Sequence, residues 1–234
     1  MRRFARASGL VLAAAGALTL IWALVVWQWQ DPFTALYTTW QQHRLESSLD
    51  RRFEDYAPRA REPVLLGTAA EIRALERTAA RFRRTSGAGQ PIGRIIVPRL
   101  GLNMILVNGT DDGSLKRGPG RDLRTFMPGQ HRLVYIAGHR TTYLAPFSHI
   151  EEIRRGDPIT LEMPYATFRY RAVRHRIVPA TDLSVLRSPR HELLELQACH
   201  PRFFATHRYI VYARLVAVRL RDGTSLSARA VAAA

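Results

Sequence analysis

Thr167-Phe-Arg-Tyr-Arg-Ala-Val-Arg-His-Arg-Ile-Val178 alternates apolar and polar residues for much of its length. This alternation is typical of a β-strand with one exposed face. Similar short runs, broken by turn residues, lie on both sides of it and predict further strands. They cover residues 92–98, 104–107, 133–137, 158–162, 193–199 and 209–218. Roughly 130 residues with seven or eight strands and little helix are enough for one closed β-barrel or sandwich with its own core.

The N-terminus carries a basic segment followed by an apolar one. Met1-Arg-Arg-Phe-Ala-Arg6 precedes a charge-free stretch, residues 9–29, which is long enough to cross a bilayer as a helix. A cleaved signal peptide is the competing interpretation, but the apolar run is long for one and continues to Trp27 and Trp29, aromatic residues typical of a membrane interface. We therefore expect a single-pass anchor, with residues 1–8 cytoplasmic and the rest of the chain extracytoplasmic.

Residues 30–88 have the composition of a partly helical stalk. Ile72, Leu75, Ala79 and Phe82 recur at helical spacing, and this apolar stripe is expected to pack on the domain or on itself. Ser86-Gly-Ala-Gly89 predicts a flexible joint at the end of the stalk. The β-rich domain is then expected at residues 89–221, and residues 222–234 form a tail of mainly small residues.

The net charge of +16 comes almost wholly from arginine, since Lys116 is the only lysine. The arginines are scattered along the chain, without a basic block or a nucleic-acid-binding motif. The sequence therefore predicts no nucleic-acid partner. An exported domain beside anionic lipid headgroups and wall polymers accounts for the charge.

Three residues at the ends of apolar runs point to acyl-transfer chemistry. Cys199 is the only cysteine, so it cannot form an intramolecular disulfide. Outside the membrane, it is a partner in an intermolecular disulfide, a reactive thiol or a buried inert one. His139 lies in Tyr135-Ile-Ala-Gly-His-Arg-Thr-Thr-Tyr143, and Arg208 follows Cys199 by nine positions. A thiol, a histidine and an arginine can supply a nucleophile, a proton carrier and an oxyanion stabiliser.

Several motifs in this region, together with the N-terminal anchor, resemble those of the sortases, membrane-anchored cysteine transpeptidases of Gram-positive bacteria. The resemblance covers about residues 90–220. Within the family, this region is most similar to class E, with class D next. It implies an eight-stranded β-barrel, in agreement with the predicted strands. The motifs are Ile92-Gly-Arg-Ile-Ile-Val-Pro98, Val107-Asn-Gly-Thr-Asp111, Leu115-Lys-Arg-Gly-Pro-Gly120, Ala137-Gly-His-Arg-Thr-Thr-Tyr143 and Cys199-His-Pro201.

The resemblance also implies roles for individual residues. Cys199 would be the nucleophile, His139 the proton carrier and Arg208 the group that binds the substrate backbone or the oxyanion. Thr141, Tyr143 and Ala198 would lie in the substrate-binding region, with Tyr143 linked to the choice of alanine over proline in the sorting signal. No metal or organic cofactor is implied.

The implied partners are secreted proteins with a C-terminal sorting signal, LPxTG or, in class E, LAxTG. The amine acceptor would be a peptidoglycan precursor or a pilin lysine, a choice that the sequence leaves open. Glu195 and Ala198 depart from the family, which usually has threonine at both positions, and this puts efficiency and substrate choice in doubt.

Other classes fit less well. An L,D-transpeptidase needs a Gly-Cys-Arg segment, papain-like peptidases place cysteine before histidine, and His191-Glu-Leu-Leu-Glu195 lacks the second histidine of a zinc motif. A membrane-tethered β-barrel, or a weakened sortase, that binds sorting peptides without efficient turnover remains the alternative.

Overall fold

The computed structural model of the protein describes residues 2–29, 32–56 and 68–227. Residue 1, two short parts of the predicted stalk (30–31 and 57–67) and the end of the predicted tail (228–234) lie outside the described residues. Four α-helices are present in the described part. They are α1 (Arg2–Trp29), α2 (Pro32–Asp55), α3 (Thr68–Thr85) and α4 (Asp112–Leu115).

Helix α1 contains the apolar segment predicted to be an anchor. By length and composition, its stretch Arg6–Leu24 is sufficient to cross a bilayer, and no other helix of the described residues meets that condition. The side chains described in this stretch are exposed, as expected of a helix that is not part of the protein core.

The rest of the described chain is built around one sheet of nine strands. The strands are β1 (Pro91–Val97), β2 (Leu102–Asn108), β3 (Gly120–Arg121), β4 (Leu133–Ala137), β5 (Pro158–Met163), β6 (Ala166–Pro179), β7 (Leu193–His200), β8 (His207–Leu220) and β9 (Ser225–Ser227). Their order is β6-β5-β1-β2-β3-β4-β7-β8-β9, and β6 also pairs with β8. That pairing closes strands β1–β8 into a barrel and leaves β9 outside the ring. The predicted eight-stranded barrel is therefore confirmed.

Two strands were not predicted. Strand β3 begins at the last residue of the Leu115–Gly120 motif and joins β2 to β4, with Gly120 opposite Val107 on one side and Ala137 on the other. A β-carbon at Gly120 would lie 2.0 Å from the carbonyl oxygen of Gly109. The backbone of β3 can therefore approach Gly109 this closely only with glycine at position 120. Strand β9 lies in the predicted tail, where Leu226 is buried against the barrel.

The two helices after α1 pack on the barrel. Ile72, Leu75, Ala79 and Phe82, the stripe recognised in the sequence, all belong to the main core with the interior of the barrel. Burying a large apolar side chain contributes about 1.5–3 kcal/mol, so α3 is part of the folded domain. Helix α2 places Leu45 and Leu49 on the outer side of β2, against Ile105 and Val107.

The segment predicted to be a flexible joint is bound to strand β2. The side-chain amide of Asn108 donates to the carbonyl of Ser86 (2.7 Å). The backbone carbonyl of Asn108 in turn accepts from the N–H of Gly89 (2.6 Å). These contacts connect residues far apart in sequence, so the Gly-Ala-Gly composition alone did not reveal them.

A second, smaller core lies on the outer face of the barrel. The loop between β6 and β7 contains a short 3-10 helix, Leu183–Leu186, which covers part of β4, β7 and β8. Val185 from this loop packs with Tyr135, Ile210 and Tyr212. This layer forms one wall of the cavity described next.

Candidate active site

Cys199 lies near the end of β7, directly opposite Arg208 of β8 in the antiparallel register. Side chains alternate between the two faces of a strand, so Cys199 shares the outer face of β7 with Gln197 and Glu195. The cysteine is half-buried and is not in a disulfide. The pairing of β7 with β8 thus explains the nine-residue spacing of Cys199 and Arg208 seen in the sequence.

His139 lies two residues after the end of β4, and β4 runs parallel to β7. The N–H of Gly138 donates to the carbonyl of Gln197 (3.0 Å), which fixes the strand end beside β7. A β-carbon at Gly138 would come within 2.6 Å of the ring of Phe147. The glycine before His139 is therefore a packing requirement of the loop that presents the histidine.

The electrostatic setting of His139 favours the neutral imidazole. Burial lowers the pKa of His139 below its usual 6.5, Asp112 opposes this effect and Lys116 adds to it. The ring nitrogen Nε2 is buried and has no hydrogen-bond partner among the described residues. A neutral imidazole with a free nitrogen is able to exchange a proton with a group that enters the site.

A cavity of about 280 Å³ is lined by His139, Cys199 and Arg208 together. Its floor is formed by the outer faces of β4 and β7, and Leu183 and Val185 come from the loop above. The three residues proposed for catalysis, which are separated by up to 69 positions in the sequence, therefore face one common space. The size of this cavity suits a short extended peptide more than a large cofactor.

Arg208 is held by the loop that precedes it. Its Nη1 donates to the carbonyls of Ala205 (2.7 Å) and His207 (2.9 Å). No acceptor among residues 2–29, 32–56 and 68–227 forms a hydrogen bond with its Nε or Nη2. Those two donors are consequently available to a bound carbonyl or oxyanion.

Arg140 is a site residue that the sequence interpretation missed. Its buried guanidinium donates to the backbone carbonyl of Cys199 (3.1 Å), to Nδ1 of His200 (2.9 Å) and to the carboxylate of Glu151 (2.8 Å). It therefore connects the loop of His139 to the strand end of Cys199. The one signal in the sequence is that Arg140 directly follows His139 in the quoted motif, but an arginine beside a histidine does not by itself reveal its partners.

The predicted substrate-binding residues occupy different places. The ring of Tyr143 lies 5.1 Å from that of His139, centre to centre, and its backbone N–H donates to Oγ1 of Thr34 in α2 (3.0 Å). Thr141 is half-buried in the same loop but does not line the cavity. Ala198 is completely buried in the interior core of the barrel, on the opposite face from Cys199. Roles for Tyr143, Thr141 and Ala198 in substrate binding stay predictions.

Within the described residues, no group of three or more His, Cys, Asp or Glu side chains is arranged to bind a metal ion.

A family model and the curated relatives all indicate the same family. The family model described as "Sortase domain" matches residues 95–216, just over half of the chain. The chain is 31% identical to Sortase D of Bacillus subtilis (strain 168) over 133 residues, which cover 55% of this chain and 65% of that protein. It is 28% identical to Sortase SrtE1 of Streptomyces coelicolor over 152 residues, or 57% of this chain and 43% of that protein. The chain thus spans less than two-thirds of either curated relative.

Solved structures agree with the barrel. Sortase E from Streptomyces avermitilis is 29% identical, with a TM-score of 0.53 over 61% of this chain and 98% of that one. The SrtF sortase from Corynebacterium diphtheriae has a TM-score of 0.56 over 58% of this chain and 89% of that one. At 22% identity, the second similarity concerns the fold alone.

Proposed function

Because the chain belongs to the sortase family, we propose that it is a membrane-anchored cysteine transpeptidase that joins secreted proteins to an amine of the cell surface. The observation that carries this proposal is the common cavity of Cys199, His139 and Arg208. The apolar part of α1 supports an anchor, with the N-terminus cytoplasmic and the barrel extracytoplasmic.

In the first step, the neutral imidazole of His139 takes the proton of the Cys199 thiol, and the resulting thiolate attacks the carbonyl carbon of the threonine in a Thr–Gly bond. The new C–S bond gives a tetrahedral intermediate, the C–N bond then breaks, and the departing glycine amine takes the proton from the imidazolium of His139. The product is a thioester on Cys199 and a neutral His139. Burial, which lowers the pKa of His139, favours release of this proton to the leaving amine.

In the second step, the acceptor amine attacks the thioester carbonyl. His139 takes a proton from the attacking nitrogen, an amide bond forms, and the thiolate of Cys199 leaves and regains its proton from His139. Each tetrahedral intermediate carries a negatively charged oxygen. Arg208 lies opposite Cys199 in the register of β7 and β8, and its unoccupied donors can bind that oxygen. An arginine suits this role because its guanidinium remains charged at all relevant pH values.

We further propose that the sorting signal is of the LPxTG or LAxTG type, as expected for class E or the related class D. The similarity to the sortases E and D supports this assignment. The position of Tyr143 beside His139 is consistent with a role in reading the residue after leucine. The acceptor is proposed to be a peptidoglycan precursor or a pilin lysine.

The proposal is tested with the full chain in a neutral detergent, using LAETG and LPETG peptides and triglycine as the amine. Intact-mass spectrometry should detect a thioacyl adduct on the wild-type chain and a peptide–triglycine product. The Cys199→Ala variant should form neither product, while its circular dichroism spectrum stays that of the wild type.

A matched histidine pair tests the proton carrier. The His139→Ala variant should lose about 10²–10⁴-fold in turnover, the range typical of a lost general acid–base. The His149→Ala variant, which changes an exposed histidine outside the cavity, should retain activity. Turnover by the Cys199→Ala variant would contradict the proposal. Peptide binding by the wild type without an adduct would instead support the alternative, a binding module.

A further inference from the structure

A second cavity, of about 690 Å³, lies on the outer face of the barrel beside the catalytic one. Basic side chains dominate its lining. We call it the arginine groove and define it by its five arginines: Arg155, Arg174, Arg176, Arg187 and Arg214. His191 also lines this groove.

The arginine groove is assembled from distant parts of the chain. Arg174 and Arg176 come from β6, Arg214 comes from β8, and Arg155 and Arg187 come from two loops. In the register, Arg174 of β6 and Glu195 of β7 lie on either side of Tyr212 of β8. Because no two of these arginines are adjacent in sequence, the sequence shows only scattered charge.

The positive charge of the groove is only partly balanced. Among the described residues, none of the five arginines has a carboxylate within 4.0 Å. Arg176 and Arg187 feel the carboxylate of Asp182 at longer range. Arg174 is positioned by the ring of Tyr212, with its guanidinium carbon 4.1 Å from the ring centre. Several guanidinium groups therefore face solvent in one concave space, an arrangement that favours a polyvalent anion.

Glu195 is the one acidic residue in the lining, and its environment differs from that of an ordinary carboxylate. It is buried, and its Oε2 has no hydrogen-bond partner among residues 2–29, 32–56 and 68–227. Burial raises its pKa from 4.5 to about 8, with Arg174 acting in the opposite direction. At neutral pH the carboxyl is mostly protonated, so it leaves the charge of the arginines intact and can donate a hydrogen bond.

We propose that the arginine groove binds phosphate anions, such as a phospholipid headgroup or a phosphodiester polymer of the wall. Each phosphate has several acceptor oxygens, which match the forked donors of more than one guanidinium. A single carboxylate would leave most of the five arginines without a partner. The groove is also large enough for two or more linked phosphate groups.

The bound anion would lie next to the catalytic cavity. Glu195 and Cys199 are four residues apart on the same face of β7, about 13 Å along a strand. Val185 lines both cavities. The groove would therefore hold the domain against a phosphate-bearing surface with the catalytic cavity close to that surface.

The test uses the full chain in dodecyl maltoside, with inorganic pyrophosphate as the probe and calorimetric titration as the measurement. The triple variant Arg174→Gln, Arg187→Gln, Arg214→Gln should bind at least about tenfold more weakly than the wild type, since three charge-assisted contacts are lost. The control variant Arg51→Gln, Arg73→Gln, Arg77→Gln removes the same charge from exposed positions of α2 and α3. Its affinity should stay within about twofold of the wild type, and thermal unfolding should show that both variants are folded.

Two further titrations identify the source of the phosphate. Dihexanoyl phosphatidylglycerol represents the lipid headgroup, and a glycerol-phosphate oligomer represents a wall polymer; the tighter ligand marks the source. Three results would overturn the proposal: no heat of binding for pyrophosphate at millimolar concentration, equal losses in both triple variants, or tighter binding of oligoglutamate than of any phosphate. None of these measurements depends on turnover, so the result is independent of the proposed transpeptidase activity.

Discussion

At the scale of the residue, Glu195 should leave a signature in the pH dependence of stability. Burial raises its folded-state pKa from 4.5 to about 8, so the folded protein keeps a proton that the unfolded chain has lost. Its contribution to stability is therefore present at low pH and decreases as the pH rises from about 4.5 to about 8. We expect the Glu195→Gln variant to show a flatter dependence of Tm on pH between pH 5 and pH 8.

Thermal unfolding followed by circular dichroism measures this slope. Glu76→Gln, on the exposed side of α3, is the matched control and should keep the wild-type slope. Part of the slope should persist in both variants, because burial also raises the pKa of Glu192 to about 7. A Glu195→Gln variant with the full wild-type slope would show that Glu195 is ionised over this whole range.

Arg140 should stabilise the fold and position the catalytic groups. The Arg140→Lys variant keeps the charge but has no planar fork to reach Cys199, His200 and Glu151 together. We expect the free energy of unfolding to fall by about 2 kcal/mol, since buried acceptors lose their donor. Because Cys199 and His139 should also become less well aligned, kcat should fall more than KM changes. The Arg190→Lys variant, at an exposed loop position, should match the wild type in urea unfolding and in both kinetic constants.

At the scale of the element, helix α3 should be part of the cooperative unit. The ring of Phe82 lies 5.4 Å from that of Tyr165 and 5.6 Å from that of Tyr56, centre to centre, and is almost fully buried. The Phe82→Ala variant should lose about 3–5 kcal/mol in the free energy of unfolding. Arg77→Ala, on the exposed side of the same helix, should lose less than about 0.5 kcal/mol. A small effect at Phe82, measured by urea unfolding, would mean that α3 is detached in solution.

A strand or helix could be predicted when the pattern that defines it lies within its own residues. The seven strands predicted from the sequence have the period or the apolar run that a strand needs, and all are present. Strand β3 has only two residues and is defined by its neighbours β2 and β4, so no pattern within it could reveal it. The apolar stripe of α3 was visible, but the surface that it contacts belongs to strands far along the chain.

At the scale of the whole molecule, the residues of the catalytic cavity could be recognised from local motifs, whereas the features around the cavity could not. Cys199, His139 and Arg208 stand in recognisable motifs, and the barrel brings them to one cavity, as the sequence led us to expect. The arginine groove and the contacts of Arg140 arise from tertiary structure alone. The total charge of +16 was known from the composition, but its concentration beside the catalytic cavity required the register of β6, β7 and β8.

The boundary of the folded unit gives a last prediction. The sequence placed the start of the catalytic domain at residue 89, whereas four buried side chains of α3 complete the barrel core. A fragment of residues 68–227 should therefore unfold cooperatively, and a fragment of residues 89–227 should have a Tm lower by about 10 °C or more. This estimate follows because each lost kcal/mol lowers the Tm of a domain of this size by about 2–4 °C.

Differential scanning calorimetry on both fragments measures the difference. The fragment of residues 32–227 provides the upper reference, since it also retains α2 and its contacts with Ile105, Val107 and Tyr143. Loss of α2 alone should cost less than loss of α3, because α2 packs on the outside of β2 whereas α3 enters the main core. If the fragments starting at 68 and 89 had the same Tm, the barrel would be complete without α3, and residues 68–88 would be a stalk after all.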